Sequence, residues 1–140
     1  MINLTRITGE GRTWNGMRPV LLEDWDSLKV RGISHLLDLT PGDEPLRFAE
    51  QAAKYDITVV FHPLGGFLAP TKEELSRATK FINEHECTYV CCNDGGARTM
   101  TVMGAHLLHN KNWPVENVRT LVRVNLKWYH WGWLGKLVKP

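Results

Sequence analysis

The stretch Thr88-Tyr89-Val90-Cys91-Cys92-Asn93-Asp94-Gly95-Gly96-Ala97-Arg98-Thr99 constrains this chain more than any other. An apolar, β-prone run reaches a cysteine. A short segment with two glycines follows, then an arginine, a threonine and a helical pattern. Each part has a job if the loop holds an anion. The glycines let the backbone curl so that successive N–H groups point inward as a nest. The helix beginning near Arg98 adds its positive end. Arg98 offers a planar fork of donors matched to two phosphate oxygens. A cysteine at the bottom of such a field is expected to be a thiolate, and therefore a nucleophile, at neutral pH.

The residues form the pattern Cys-x-x-Gly-x-x-Arg-Thr, and with it the chain resembles the cysteine-dependent protein tyrosine and dual-specificity phosphatases. The resemblance implies that Cys92 accepts the phosphoryl group and that Arg98 clamps it. Thr99 would assist release of the thiolate from the phosphocysteine, while Asn93, Asp94, Gly95, Gly96 and Ala97 would line the phosphate beside Arg98. The competing reading is a structural cysteine before a glycine turn. Gly, Arg and Thr at those three offsets are roughly a one-in-several-thousand accident per cysteine, and the strand–loop–helix context strengthens the match. Two positions depart from the family: Cys91 stands where it usually has histidine, and Met100 where it often has glycine.

A larger departure concerns the proton donor. The resemblance requires an aspartic acid on the loop before the helix that opens at Thr71, and counting back from Pro70 and Leu75 that position is Gly66. No carboxylate occurs from His62 to Pro70. General acid catalysis contributes roughly a hundred- to ten-thousand-fold, so a slow enzyme that favours acidic leaving groups is one expectation. Asp94, inside the loop, is the leading alternative donor. An Asp there also resembles the myotubularin-type lipid phosphatases, although Ala97 replaces that group's second loop aspartate. His62 is a weaker candidate, and for Asp94 itself the preferred reading is a brace that bonds the loop's backbone amides. The runner-up function is a phosphate-binding pseudophosphatase or interaction module that no longer turns over.

Composition removes several other classes. The 140 residues suit one domain, 1–140, and a net charge of +2 gives no case for nucleic-acid binding through bulk electrostatics. Cys87, Cys91 and Cys92 are odd in number and lack metal-ligand spacing, which favours free thiols in a reducing, cytoplasmic setting. The opening residues lack the apolar run of a signal peptide, and no stretch is long enough to span a bilayer. A thiol redox enzyme lacks its Cys-x-x-Cys, and a rhodanese fits the Gly and Arg spacing less well. The implied chemistry needs neither a metal nor an organic cofactor. The partners expected are a phosphorylated protein or a small phosphate ester. Without lysines in the loop, and with Asp94 repelling further negative charge, a singly phosphorylated substrate is favoured.

The remaining chain reads as alternating strands and helices. Ile2 to Ile7 reads as a strand, Gly9 to Gly16 as a glycine-rich turn region, and Glu23 to Val30 as a helix capped by Gly32. Ile33 to Leu39 is a buried strand in which His35 is a core residue. Pro45 to Lys54 is a helix with Leu46, Ala49 and Ala53 at helical spacing, and Asp56 to Phe61 is a strand. Thr71 to His85 is a helix opened by a Thr71–Glu74 capping box, with Leu75, Ala78, Thr79 and Ile82 as its buried stripe. Thr88 to Cys91 is the strand feeding the loop, Thr99 to His109 a buried helix, and Pro114 opens another. This order predicts an α/β fold with a mostly parallel central sheet and helices on both faces. Ligands then bind at the carboxyl ends of the strands, where Cys92 falls. The aromatic segment from about residue 126 to 140 either packs onto the domain or forms a patch for self-association, a partner or a membrane surface.

Overall fold

The computed structural model describes residues 12–64, 68–93 and 96–139. Among these, β1 (Trp14–Met17), β2 (His35–Asp38), β3 (Thr58–Phe61) and β4 (Thr88–Cys92) form one sheet in the order β1-β4-β2-β3, with every pairing parallel. The helices are α1 (Leu22–Val30), α2 (Pro45–Ala53), α3 (Lys72–Glu84), α4 (Ala97–His109) and α5 (Val115–Val124), followed by a 3-10 helix over Trp128–Lys136. The α/β fold is therefore as expected, and the described sheet is wholly parallel.

Strand alternation divides the core in two. Leu36, Tyr89 and Cys91 pack with Trp25 and Leu28 of α1 and Ala52 of α2. Leu37, Val90 and Cys92 pack on the other side against α3, α4, α5 and the C-terminal segment. Leu28, Leu36 and Leu37 are essentially fully buried, each worth about 1.5–3 kcal/mol of transfer free energy.

The helix signals held closely. Thr71 Oγ1 accepts from the Glu74 N–H at 3.1 Å, and Glu74 Oε1 accepts from the Thr71 N–H at 2.9 Å. The buried residues of α3 are Leu75, Ala78, Thr79 and Ile82. At the end of α1, Gly32 adopts φ +75°, while the Gly32 and Ile33 N–H groups donate to Lys29 O and Leu28 O. That is a Schellman stop, and the left-handed residue in it is glycine. At the start of α1, Asp24 Oδ2 accepts from the N–H groups of Val20 and Leu21.

Three expectations need correction, and a fourth falls outside the described residues. Trp14 to Gly16, expected within the turn region, instead belong to β1, whose neighbour among the described strands is β4, and Trp14 packs on the α1 side of the core. In α2 the inward residue is Ala52, with Phe48 packed beside it, whereas Leu46 is 78% exposed. The Phe48 ring lies 5.2 Å from Trp25 and 6.4 Å from Phe61, which rotates Leu46 out to solvent. Asp56, at φ +59°, belongs to the turn before β3 rather than to the strand. The expected strand from Ile2 to Ile7 lies outside the described residues.

In α4, His106 is buried, and its Nδ1 accepts from Asn110 Nδ2 at 2.8 Å. Burial first, and then the charge of Lys111, pushes its pKa down to about 4. Between about pH 6.5 and pH 4 the unfolded chain therefore binds a proton that the folded chain refuses. This group's contribution to stability should fall as pH drops through that window and level off below it, by on the order of 2–3 kcal/mol in all. Urea midpoints across the window, compared with His106→Gln, check this. An unchanged slope in the variant refutes the assignment.

Candidate active site

β4 delivers Cys92 to the carboxyl end of the sheet, and α4 opens at Ala97. The first turn of α4 is closed by the Met100 N–H donating to Gly96 O at 2.9 Å. Arg98 and Thr99 therefore sit in the first turn of α4, at the positive end of its dipole. Thr99 is fully buried, and its Oγ1 has no hydrogen-bond partner among the described residues. The next hydroxyl, Thr101 Oγ1, instead donates to Ala97 O at 2.7 Å.

Neighbouring loops hold the cradle from the side. The Arg18 N–H donates to the Cys92 carbonyl at 2.8 Å, and Thr40 Oγ1 donates to Asn93 Oδ1 at 3.3 Å. Cys92, Asn93, Gly96, Ala97, Arg98 and Thr99 are thus brought together as strand end, loop and first helical turn. Asp94 and Gly95 lie outside the described residues, as does Gly66.

No protein-family model matches the chain, and no curated protein does. Solved structures do. The core catalytic domain of the PP-IP phosphatase SIW14 from S. cerevisiae superposes with a TM-score of 0.73 at 17% identity, covering 94% of this chain and 83% of that one. Tk-PTP in its active form gives 0.72 at 20% identity, over 95% and 93% of the two chains. PTPMT1 gives 0.76 at 17% identity, over 96% and 92%. The chain has the fold of the cysteine-dependent tyrosine and dual-specificity phosphatases.

Within this phosphatase fold, Cys91 and Cys92 point to opposite faces of β4, Cys91 toward α1 and α2 and Cys92 toward α3 and α4. All three cysteines are free. Burial pushes the Cys91 thiol well up, with the charges of Asp38 and Cys92 adding to the effect and Arg18 opposing it. Cys91 is accordingly a neutral packing thiol, and the two adjacent sulfurs do not make a dithiol pair.

The Arg18–Asp38 pair beneath the loop is the part of the site that the sequence did not reveal. Asp38 is fully buried, and its carboxylate accepts from Arg18 Nε at 3.0 Å and from the Thr40 N–H at 3.1 Å. The Arg18 guanidinium also lies 3.9 Å from the centroid of the Phe48 ring. One signal was available, because an aspartate inside Leu36-Leu37-Asp38-Leu39 must find a partner if the strand is buried. Beside this pair opens a cleft of about 550 Å³, lined by Arg18, Trp25, Asp43, Arg47 and Phe48 among others.

His62, the weaker proton-donor candidate, is committed elsewhere. Its Nε2 lies 2.9 Å from the Glu74 carbonyl, a geometry that requires a proton on that nitrogen.

Proposed function

We propose that this chain hydrolyses phosphate monoesters through a phosphocysteine intermediate. The observation that carries the reading is the buried Thr99 hydroxyl, left without a partner in the first turn of α4 directly after the loop that follows Cys92. A packing threonine would spend that hydroxyl on the helix backbone, as Thr101 does. In the reaction, the Cys92 sulfur attacks phosphorus while the bond to the leaving oxygen breaks and that oxygen takes up a proton. Arg98 and the loop N–H groups hold the transferring oxygens, whose charge grows in the transition state. Water then attacks the phosphocysteine, the sulfur–phosphorus bond breaks, and Thr99 donates to the departing sulfur.

The substrate class we favour is singly phosphorylated: phosphotyrosine-, phosphoserine- or phosphothreonine-type esters, or small aryl phosphates. Asn93 to Ala97 contain no lysine to meet further phosphates, and Asp94 repels them. SIW14 is named for PP-IP substrates, and PTPMT1 has been solved with PI(5)P. The loop here adds no cation of its own beyond Arg98. The three free cysteines support a reducing, cytoplasmic setting.

The proton donor decides how fast such an enzyme runs, and Asp94 is the donor we favour. Hydrolysis of p-nitrophenyl phosphate should be measurable, with alkyl phosphates much slower. Asp94→Asn should steepen that dependence on the leaving group. Gly66→Asp should raise alkyl-ester turnover by about a hundred-fold or more while changing aryl-ester turnover far less. A wild-type chain that binds tungstate but turns over no aryl phosphate would instead be a phosphate-binding module, and the enzyme reading would fall.

A further inference from the structure

The C-terminal segment divides its rings between two faces. Trp133 and Leu137 are buried, and Leu137 reaches the α4–α5 crossing, where a Cβ on Gly104 would lie 3.1 Å from its side chain. Arg119 Nε donates to Leu137 O at 3.1 Å and secures that inner side. On the outer side Trp128 is 73% exposed, Tyr129 56%, Trp131 41%, and Val124 near them in sequence 75%. Trp128 and Tyr129 meet edge-to-face at 5.7 Å. The packing and exposed-patch expectations are thus both present, on opposite sides of one 3-10 helix.

Charge along the C-terminal segment is one-sided. From Asn117 to Pro140 the chain has no aspartate or glutamate, yet it carries Arg119, Arg123, Lys127, Lys136 and Lys139. Two of these cations sit on the rings themselves. The Arg123 guanidinium lies 4.1 Å from the centroid of Trp131, and the Lys127 ammonium 6.0 Å from that of Tyr129. At the far end of the segment Lys136 and Lys139, with Lys72, Glu73, Ser76 and His109, line a depression of about 400 Å³.

We propose that this face docks the protein on an anionic membrane surface. Tryptophan and tyrosine have an apolar body and a polar edge, which suits the boundary between headgroups and acyl chains. Exposed cations beside them supply attraction to anionic lipid. A second copy of the chain is a poor occupant, because it would bring the same uncompensated positive charge to the contact. No helix among the described residues is long and apolar enough to cross a membrane, so the attachment is peripheral.

Sedimentation with vesicles tests this without any phosphatase substrate, so the result does not depend on the role of Cys92. The full chain should bind vesicles containing phosphatidylglycerol, bind pure phosphatidylcholine far less, and release as salt rises. Removing Arg123 and Lys127 together as alanines should weaken binding about 25-fold, at about five-fold per basic residue. Trp128→Ala with Trp131→Ala should weaken it by at least about ten-fold. All four side chains are exposed, so thermal melting should be unchanged and separates lost docking from lost folding. Equal binding to neutral vesicles, no binding to either kind, or unaffected variants would overturn the proposal. So would a single-stranded oligonucleotide, an acidic protein or self-association that used these residues while vesicles did not.

Discussion

Cys92→Ser should abolish hydrolysis of p-nitrophenyl phosphate, with a fall on the order of 10⁴-fold or more. The serine hydroxyl occupies almost the same space but keeps its proton at neutral pH, so it is a far weaker nucleophile toward phosphorus than a cysteine sulfur. Little else should change. Cys92 is buried at the end of β4, and its structural tie to β1 runs through its backbone carbonyl, which serine retains. Tungstate affinity should remain within about ten-fold, because in the proposed site Arg98 and the loop N–H groups would carry it. Turnover that survives in the serine variant would place the nucleophile elsewhere. Loss of tungstate binding together with turnover would mean that the loop itself had been damaged.

Arg18→Ala should destabilise the fold by about 3–5 kcal/mol. Asp38 would keep its charge, or pay to lose it, with only the Thr40 N–H left to bond it. The stacked contact with Phe48 would go as well, and so would the packing of the guanidinium on Gly42, where a Cβ would lie 3.0 Å from Arg18. Urea unfolding measures the loss. Replacing both charges at once, Arg18→Met with Asp38→Leu, should recover much of it, because a buried pair exchanged for apolar groups of similar volume is often neutral. A single-variant loss below about 1 kcal/mol would put the pair in the class of surface ion pairs and refute its role.

What the sequence made legible follows from where local chemistry is strongest. The two sides of the loop were readable because an apolar, β-prone run ends at Cys92 and a helical pattern begins a few residues later. The α3 helix was readable because a capping box and a clean apolar stripe point to the same answer. β1 was hidden because a four-residue strand containing Gly16 carries almost no periodic signal. In α2 the apolar residues Leu46, Phe48, Ala49, Ala52 and Ala53 outline more than one possible stripe. Only contact with Trp25 and Phe61 selects the face that holds Phe48 and Ala52. The Arg18–Asp38 pair joins two strand ends that no spacing rule connects.

The strand order also dictates a sequence of assembly. β2 and β3 are joined through α2 and are adjacent in the sheet, so their pairing needs only a short stretch of chain. β1 has a single described neighbour, β4, to which Tyr89 also ties it by donating its hydroxyl to Met17 O across a separation of 72 residues. Among the described strands, Trp14 to Met17 therefore have no partner until β4 has been made. Closing so large a loop is slow relative to the local pairings. The cradle around Cys92 draws a backbone hydrogen bond from Arg18 at the end of β1. On a ribosome, the chain's first described strand and Cys92 should reach their final positions together, as a late event.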